Sequence, residues 1–435
     1  MNTTQLKTAI LAGAFDSTFR TLYTEERVSS AKIRYANAVE AFESIYGAKQ
    51  QAVILSVPGR SEITGNHTDH NHGRVIAASV DCDVIAVAAR DEGNMVRIKS
   101  DGYKEDAVNI TALDPKNFPQ FKSIGLVAGM CDAFKKNGLQ IGGLCAYTTS
   151  NVLKGSGLSS SAAFEVMVGT ILNHLYNGGA VSPIDVARYA QWSENVYFGK
   201  PCGLMDQMAC AVGGFVEIDF EDPAKPIVEK ISFDLTGMGY DLCIVNTGGN
   251  HADLNEDYAS IPAEMKKVAS LFGKEVLRGI SEYELIEKAP EIRKEAGDRA
   301  LLRALHFANE DARVPAIAAA MKEGDVKKFL GGITASGNSS FKYLQNVFTT
   351  KNPSEQGESL AIYLSERALA SFPLPGACRV HGGGFAGTIQ AYVPTPNVEA
   401  YRETINNIFG KNACMLLRIR PYGASVVEQS GVKEA

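Results

Sequence analysis

At 435 residues the chain exceeds one ordinary domain and favours two domains sharing a cleft. A hydrophobic content of 45% supplies real cores, while 43 basic against 49 acidic residues exclude a nucleic-acid surface or a polybasic membrane patch and leave small metabolites as the expected partners. No stretch approaches the ~18 uninterrupted apolar residues of a membrane span, and MNTTQLKTAILAGAFDSTFR has neither a basic leader nor a cleavage pattern, so no membrane partner and a cytoplasmic location are expected.

In chain order, the pattern predicts a helix near 27–46, strands at 51–57 and 82–90, a helix near 124–137 and a strand at 144–150, an α/β alternation. Helices follow at 159–177 and 183–196, then a strand-like GGFVEIDF (213–220). The polar, proline-containing EDPAKP marks the expected boundary between domains 1–220 and 221–435. Beyond it come a strand at 240–247, helices around 259–272, 298–322 and 355–371, and strands at 377–381 and 387–393, read as helices on one antiparallel sheet. The eight cysteines include no C-x-x-C pair and read as reduced core thiols.

Four segments carry chemistry. In NVLKGSGLSSSAAFEV (151–166) a glycine-rich loop opens a long helix, so its N–H groups and the helix N-terminus suit phosphate oxygens; the competing structural reading is that Ser159 merely caps the helix. The order is not that of a Walker A loop. The segment 57–81 gathers Arg60, Asn66, His67, Asp69, His70 and His72 between hydrophobic strands. It reads as a sugar-hydroxyl site using Asp69 and His67, a zinc site using the histidines, or a solvated loop; the histidine spacing does not match H-E-x-x-H. SENVYFGKPCGLMDQMAC (193–210) places Asp206 in an expected tight turn among apolar residues, where it needs a partner, and Arg60 is the expected one. RVHGGGFAGTIQAYV (379–393) joins two strands through consecutive glycines, which suits close approach to a ligand or to the first domain.

Together, and in this order, these segments resemble the motifs of the GHMP kinases and, among them, of the galactokinase family. GRSEITGNHTDHNHG resembles the family pattern GRxNxIGEHxDYxxG, residues 155–162 match GxGLSSSA, residues 202–207 match CGxMDQ, and GGGFAG at 382–387 resembles GGGFGG. The resemblance covers essentially the whole chain. It implies a two-domain α+β/α/β GHMP kinase fold: an N-terminal ribosomal-protein-S5-like domain, a C-terminal ferredoxin-like α+β domain, and the active site in the cleft between them. It further implies ATP-dependent phosphorylation of a galactose-like sugar at its anomeric hydroxyl, with ATP and Mg²⁺, by a monomer. Carried over residue by residue, Asp206 is the catalytic base and Arg60 its charge stabiliser. Asn66, His67, Asp69 and Tyr258 fall at sugar-binding positions. Lys154, Gly155, Ser156, Gly157, Leu158, Ser159, Ser160 and Ser161 form the ATP-phosphate loop, and Ser161 and Glu194 hold the metal.

The pattern departs from the family where a glutamate contacting the C6 hydroxyl is replaced by Asn66 and a tyrosine by His70. Loss of that charge admits a C6 carboxylate and makes galacturonate the alternative sugar. His381 replaces a threonine, 336–346 differs, and the basic residues that usually follow Tyr258 are absent. A non-catalytic sugar sensor is the alternative of a different class; such relatives lose a serine and alanine of the second motif, which Ser161 and Ala162 retain.

Overall fold

The computed structural model describes residues 1–49, 51–152, 157–200, 202–249 and 254–434. Helices α1 (Thr3–Leu11), α2 (Asp16–Leu22) and α3 (Val28–Tyr46) lead into the long strands β1 (Val53–Thr64) and β2 (Arg74–Arg90). Strands β3 (Met95–Ser100) and β4 (Asp106–Asn109), helix α4 (Ser123–Lys136) and strand β5 (Leu144–Ser150) follow. Then come helices α5 (Ser160–Asn177), α6 (Pro183–Ser193) and α7 (Met205–Val212), with strands β6 (Phe215–Asp219) and β7 (Ile227–Ile231).

These strands build a mainly antiparallel sheet, ordered β4-β3-β5-β2-β1, in which only β3 and β5 run parallel and β6 and β7 continue from the first half of β2. Residues of β2 alternate between two cores. Val84, Ala86 and Ala88 face α4 to α7, whereas Ile85, Val87 and Ala89 face Leu6, Phe19, Tyr35 and Phe42 of α1 to α3. Burial on both faces explains the unbroken apolar run VIAVAA.

The second half supplies strand β8 (Tyr240–Asn246), helices α8 (Asn255–Ser270), α9 (Glu282–Glu287), α10 (Ala289–Glu295), α11 (Asp298–Lys322), α12 (Val326–Ser339) and α13 (Gly357–Ala370), then strands β9 (Ala377–Val380) and β10 (Thr388–Pro394). Helix α14 (Val398–Phe409) and strand β11 (Cys414–Leu417) complete an antiparallel sheet in the order β11-β8-β10-β9, covered by α13 and α14. The end of the chain returns to the first sheet: β12 (Ser425–Glu428) pairs with β1, and β13 (Gly431–Glu434) pairs with β12. The large sheet therefore takes up β7, β12 and β13 from beyond residue 220.

Two local expectations change. The polar segment 57–81 is mostly strand, with only residues 65–73 forming the connection between β1 and β2. Its buried polar groups are satisfied from the far half of the chain: Glu62 pairs with Arg379 at 3.0 Å, and Thr64 donates to Glu310 of α11 at 2.9 Å. Asp206 stands not in a tight turn but in the first turn of α7, whose apolar residues Met205, Met208, Ala209 and Val212 recur at helical spacing and are buried. A helix N-terminus also favours a carboxylate there.

A buried ionic cluster locks the tail to the frame. Asp83 accepts from Tyr23 at 2.6 Å and from the Ser56 hydroxyl, and it pairs with Arg34 and with Arg420 at 3.3 Å. Burial alone would raise the Asp83 carboxyl, but the two guanidinium groups hold it below its ordinary value.

Candidate active site

The site is built where β1 bends. A register shift between Pro58 and Arg60 lets the phosphate loop cross the strand, and a Cβ on Gly59 would come within 2.8 Å of the Leu158 carbonyl. That carbonyl instead accepts from the Arg60 backbone N–H at 3.1 Å. The Arg60 guanidinium then makes two contacts: Nε donates to Asp206 Oδ1 at 2.7 Å, and Nη1 donates to the Gly157 carbonyl. Asp206 Oδ2 accepts from the Ser159 hydroxyl.

Ser159 occupies the N-cap position of α5 with a left-handed φ of 56° and makes no side-chain cap bond, so its hydroxyl serves Asp206 rather than the helix. Arg60 is 6% exposed, whereas the Asp206 side chain keeps 33% of its surface open. Burial pushes the Asp206 carboxyl up, but the Arg60 charge and the hydrogen bonds from Arg60 and Ser159 outweigh it and hold the carboxyl below its ordinary value. The result is an ionised, oriented carboxylate that a small hydroxyl compound can reach.

Behind it lies an oxygen-rich corner. The π-helical turn 194–198 that continues α6 buries Glu194, whose Oε2 accepts from Gln207 at 2.8 Å and from the Cys202 thiol at 3.1 Å, while Oε1 pairs with Lys200 at 3.2 Å. The same Gln207 amide donates to Glu165 at 3.2 Å, leaving one Glu165 oxygen and the Gln207 carbonyl oxygen without partners among the described residues. Burial, and then the charge of Glu194, pushes the Glu165 carboxyl well up. Two carboxyl groups, bearing the charge of Glu194, and the Gln207 carbonyl oxygen meet here, with the half-buried Ser161 one helical turn before Glu165 on α5; these are hard oxygen donors that fit a small divalent cation. The Lys200 ammonium now offsets part of that charge.

The remaining predicted residues make contacts to protein. Asn66 is fully buried, with its amide donating to Glu62 and to the Gly382 carbonyl at 2.9 and 2.8 Å and accepting from Ser340 and Asn346 at 3.1 and 2.8 Å. His67 Nε2 bonds the Gly383 carbonyl at 3.0 Å, and its Nδ1 bonds His70 at 3.1 Å. Burial, and then the neighbouring His70, lowers the His67 imidazole to about 3, so it is neutral at physiological pH. Tyr258 donates to the Gly384 carbonyl at 3.0 Å, and its ring packs edge-on against Phe385. Three successive glycine carbonyls of the third motif are thus taken: those of Gly382 and Gly383 by Asn66 and His67, which clasp the two halves together, and that of Gly384 by Tyr258 from within the second half. The close approach expected of the glycines is to protein.

Asp69 does reach the reacting region: a Cβ on Gly203 would collide with its carboxylate, so the loop before Asp206 lies directly against it. Among the described residues no group of three His, Cys, Asp or Glu is arranged to hold a metal. Lys154, Gly155 and Ser156 lie outside the described residues; Leu158 is buried, and Ser160 and Ser161 open α5.

Sequence reasoning missed Gln207, Glu165 and Lys200, although Glu165 follows Ser161 by four residues and so shares its helix face. It noted His381 without giving it a place. The imidazole is buried between the Ser61 and Thr388 hydroxyls, 3.1 Å from each, and lies against Gly157, so it links all three glycine-bearing segments.

The GHMP kinases N terminal domain family matches residues 125–214, across the phosphate loop and α7. The crystal structure of Lactococcus lactis galactokinase complexed with galactose superposes with a TM-score of 0.77 at 24% identity, covering 90% of this chain and 99% of that one. Methanococcus jannaschii mevalonate kinase superposes with a TM-score of 0.59 at 14% identity, covering 85% and 99%. Fold and site together define a GHMP kinase. Residues 40–90 match the galactokinase galactose-binding signature. The galactokinase of Streptomyces coelicolor is 30% identical over 373 residues, 85% of this chain and 92% of that protein, and that of Glaesserella parasuis is 29% identical over 380 residues. The chain belongs to the galactokinase family.

Proposed function

We propose that the protein transfers the γ-phosphoryl group of ATP to the anomeric hydroxyl of galactose. The observation that carries this reading is the Asp206 carboxylate, clasped by Arg60 and Ser159 beside the phosphate loop and open on one side. In this reading the sugar oxygen bonds to the γ-phosphorus, the bond to the bridging oxygen breaks and ADP departs. The hydroxyl proton passes to Asp206. Arg60, tied to both Asp206 and Gly157, keeps positive charge beside the transferred group, and the helix N-terminus of α5 adds its own.

We assign Mg²⁺ to Ser161 and Glu194, with Glu165 and Gln207 behind them; when bound, it neutralises phosphate charge. Asp69, against Gly203, is positioned to meet a sugar hydroxyl, and His67 supports it through the third motif. The active site lies between the units approximated by residues 1–220 and 221–435, and the protein acts as a cytoplasmic monomer. Among the described residues no helix is long and apolar enough to cross a membrane.

Asn66 was the basis for a C6 carboxylate, yet its side chain is spent on protein partners, so galactose is the sugar we adopt over galacturonate. An ATP-consumption screen over galactose, galacturonate, N-acetylgalactosamine, glucose and L-arabinose tests it: galactose should give the highest kcat/KM, and a dominant galacturonate response would reverse the choice.

Ser159→Ala removes one of the groups, after Arg60, that stabilise the Asp206 anion. Turnover should fall roughly tenfold, in line with a hydrogen bond to a charged group. Because the anion is less stabilised, the Asp206 pKa rises and the acid limb of the kcat/KM profile moves to higher pH. An unshifted acid limb would remove Ser159 from the control of Asp206.

A further inference from the structure

Against Phe385 and Ala386 of the third glycine-rich motif lies a small cavity of about 20 Å³, enough for one water-sized occupant. Its walls include Thr247, Thr349, Glu355 and Glu358 together with Phe385 and Ala386 of the motif itself. Glu358, the second residue of α13, is 1% exposed, and among the described residues neither of its carboxyl oxygens has a hydrogen-bond partner in good geometry, the Thr388 backbone giving it only a weak pull. A buried, unpartnered carboxyl is among the most costly groups a fold can carry, and it needs an occupant or a proton.

The surrounding chemistry selects the occupant. Thr247 donates its hydroxyl to the Gly387 carbonyl at 3.0 Å, and Thr349 donates to Asp257 at 3.2 Å. With their protons committed elsewhere, both hydroxyl oxygens have only lone pairs left to offer the cavity, Thr349 one fewer because it also accepts from the Lys351 backbone N–H at 3.1 Å. No lysine, arginine or histidine is among the described lining residues. The lining thus offers neutral oxygens and one buried negative charge, with Glu355 exposed at its edge. A monovalent cation would neutralise Glu358, whereas a divalent one would leave a net buried charge.

We infer that this cavity is a binding site for a single Na⁺ or K⁺ ion, with Glu358 as its anionic ligand and threonine oxygens completing part of its shell. Burial pushes the Glu358 carboxyl well above the carboxylate range, against a smaller opposing pull from the Thr388 backbone, and a bound cation replaces the proton. The ion's place explains its use. Phe385 forms one wall and holds a left-handed φ of 66°, and its ring packs edge-on against Tyr258. An occupant fixes the wall on which the clasp between the two halves rests.

The full-length protein, exchanged into choline chloride, is unfolded thermally in equal concentrations of choline, sodium and potassium chloride. Sodium or potassium should raise the Tm by about 2 °C or more over choline. Glu358→Gln should abolish that difference while unfolding in choline at or above the wild-type temperature, because the carboxamide has no charge to bury. Crystals of the wild-type protein grown in rubidium chloride should show an anomalous peak bonded to Glu358. Equal Tm in all three salts, retention of the ion-specific rise by Glu358→Gln, or a cavity without rubidium would each overturn the site. Should the Gln variant not fold, the wild-type salt comparison and the rubidium crystal decide the matter. None of these readouts depends on the sugar, so their failure leaves the phosphotransfer reading untouched.

Discussion

Asp206→Asn should give a folded protein whose turnover is lower by about 10²–10⁴-fold, with the KM for ATP changed only a few-fold. The carboxamide has the size of the carboxylate: its oxygen can still accept from Arg60, while its NH2 faces Ser159, whose hydroxyl turns from donor to acceptor, so the local geometry survives. What is lost is the ability to take the hydroxyl proton and the counter-charge to a guanidinium that is 6% exposed. Steady-state kinetics with circular dichroism separates these effects. Near-normal turnover in a folded variant would show that Asp206 is not the proton acceptor.

Arg60→Met should cost about 10³-fold or more in turnover, comparable to removing an arginine that stabilises transferred-phosphoryl charge. Two ties are cut together, to Asp206 and to the Gly157 carbonyl. The sign of the pH effect follows from the same contacts. Arg60 is the chief group holding the Asp206 carboxyl down, so without it that carboxyl rises and the base form is lost at higher pH. In the wild type the acid limb due to Asp206 lies below the ordinary aspartate range of about 3.9. In the variant it moves up. Arg60→Lys should recover little, because an ammonium cannot span both partners as the guanidinium does. Full rescue by lysine would mean that charge alone, not the two-pronged geometry, matters here.

The reacting centre was more legible in the sequence than its surroundings. Arg60 and Asp206 are 146 residues apart, yet a buried carboxylate among apolar residues demands a cation, and the motif order names the candidate. Asn66, His67 and Tyr258 took sugar-binding positions from the family resemblance; their protein partners, the backbone carbonyls of Gly382 to Gly384, lie 316, 316 and 126 residues away, which local pattern cannot supply. The same reason hid the strand character of residues 60–64. Polar side chains interrupt the apolar alternation there, and Arg379 and Glu310 satisfy Glu62 and Thr64 only after the chain has folded, as Gln390 does the Glu62 backbone carbonyl. The return of Ser425–Glu434 to the first sheet likewise depends on an edge of β1 that nothing near the C-terminus announces.

The most direct test of the central claim is the identity of the product formed from galactose, ATP and Mg²⁺. A proton–phosphorus correlation spectrum should show the new phosphorus coupled to H1 of the sugar, with stoichiometric ADP and with no product from Asp206→Asn above its residual rate. Absence of galactose-dependent ATP consumption, or a phosphorus coupled to any other sugar carbon's proton, would contradict the account.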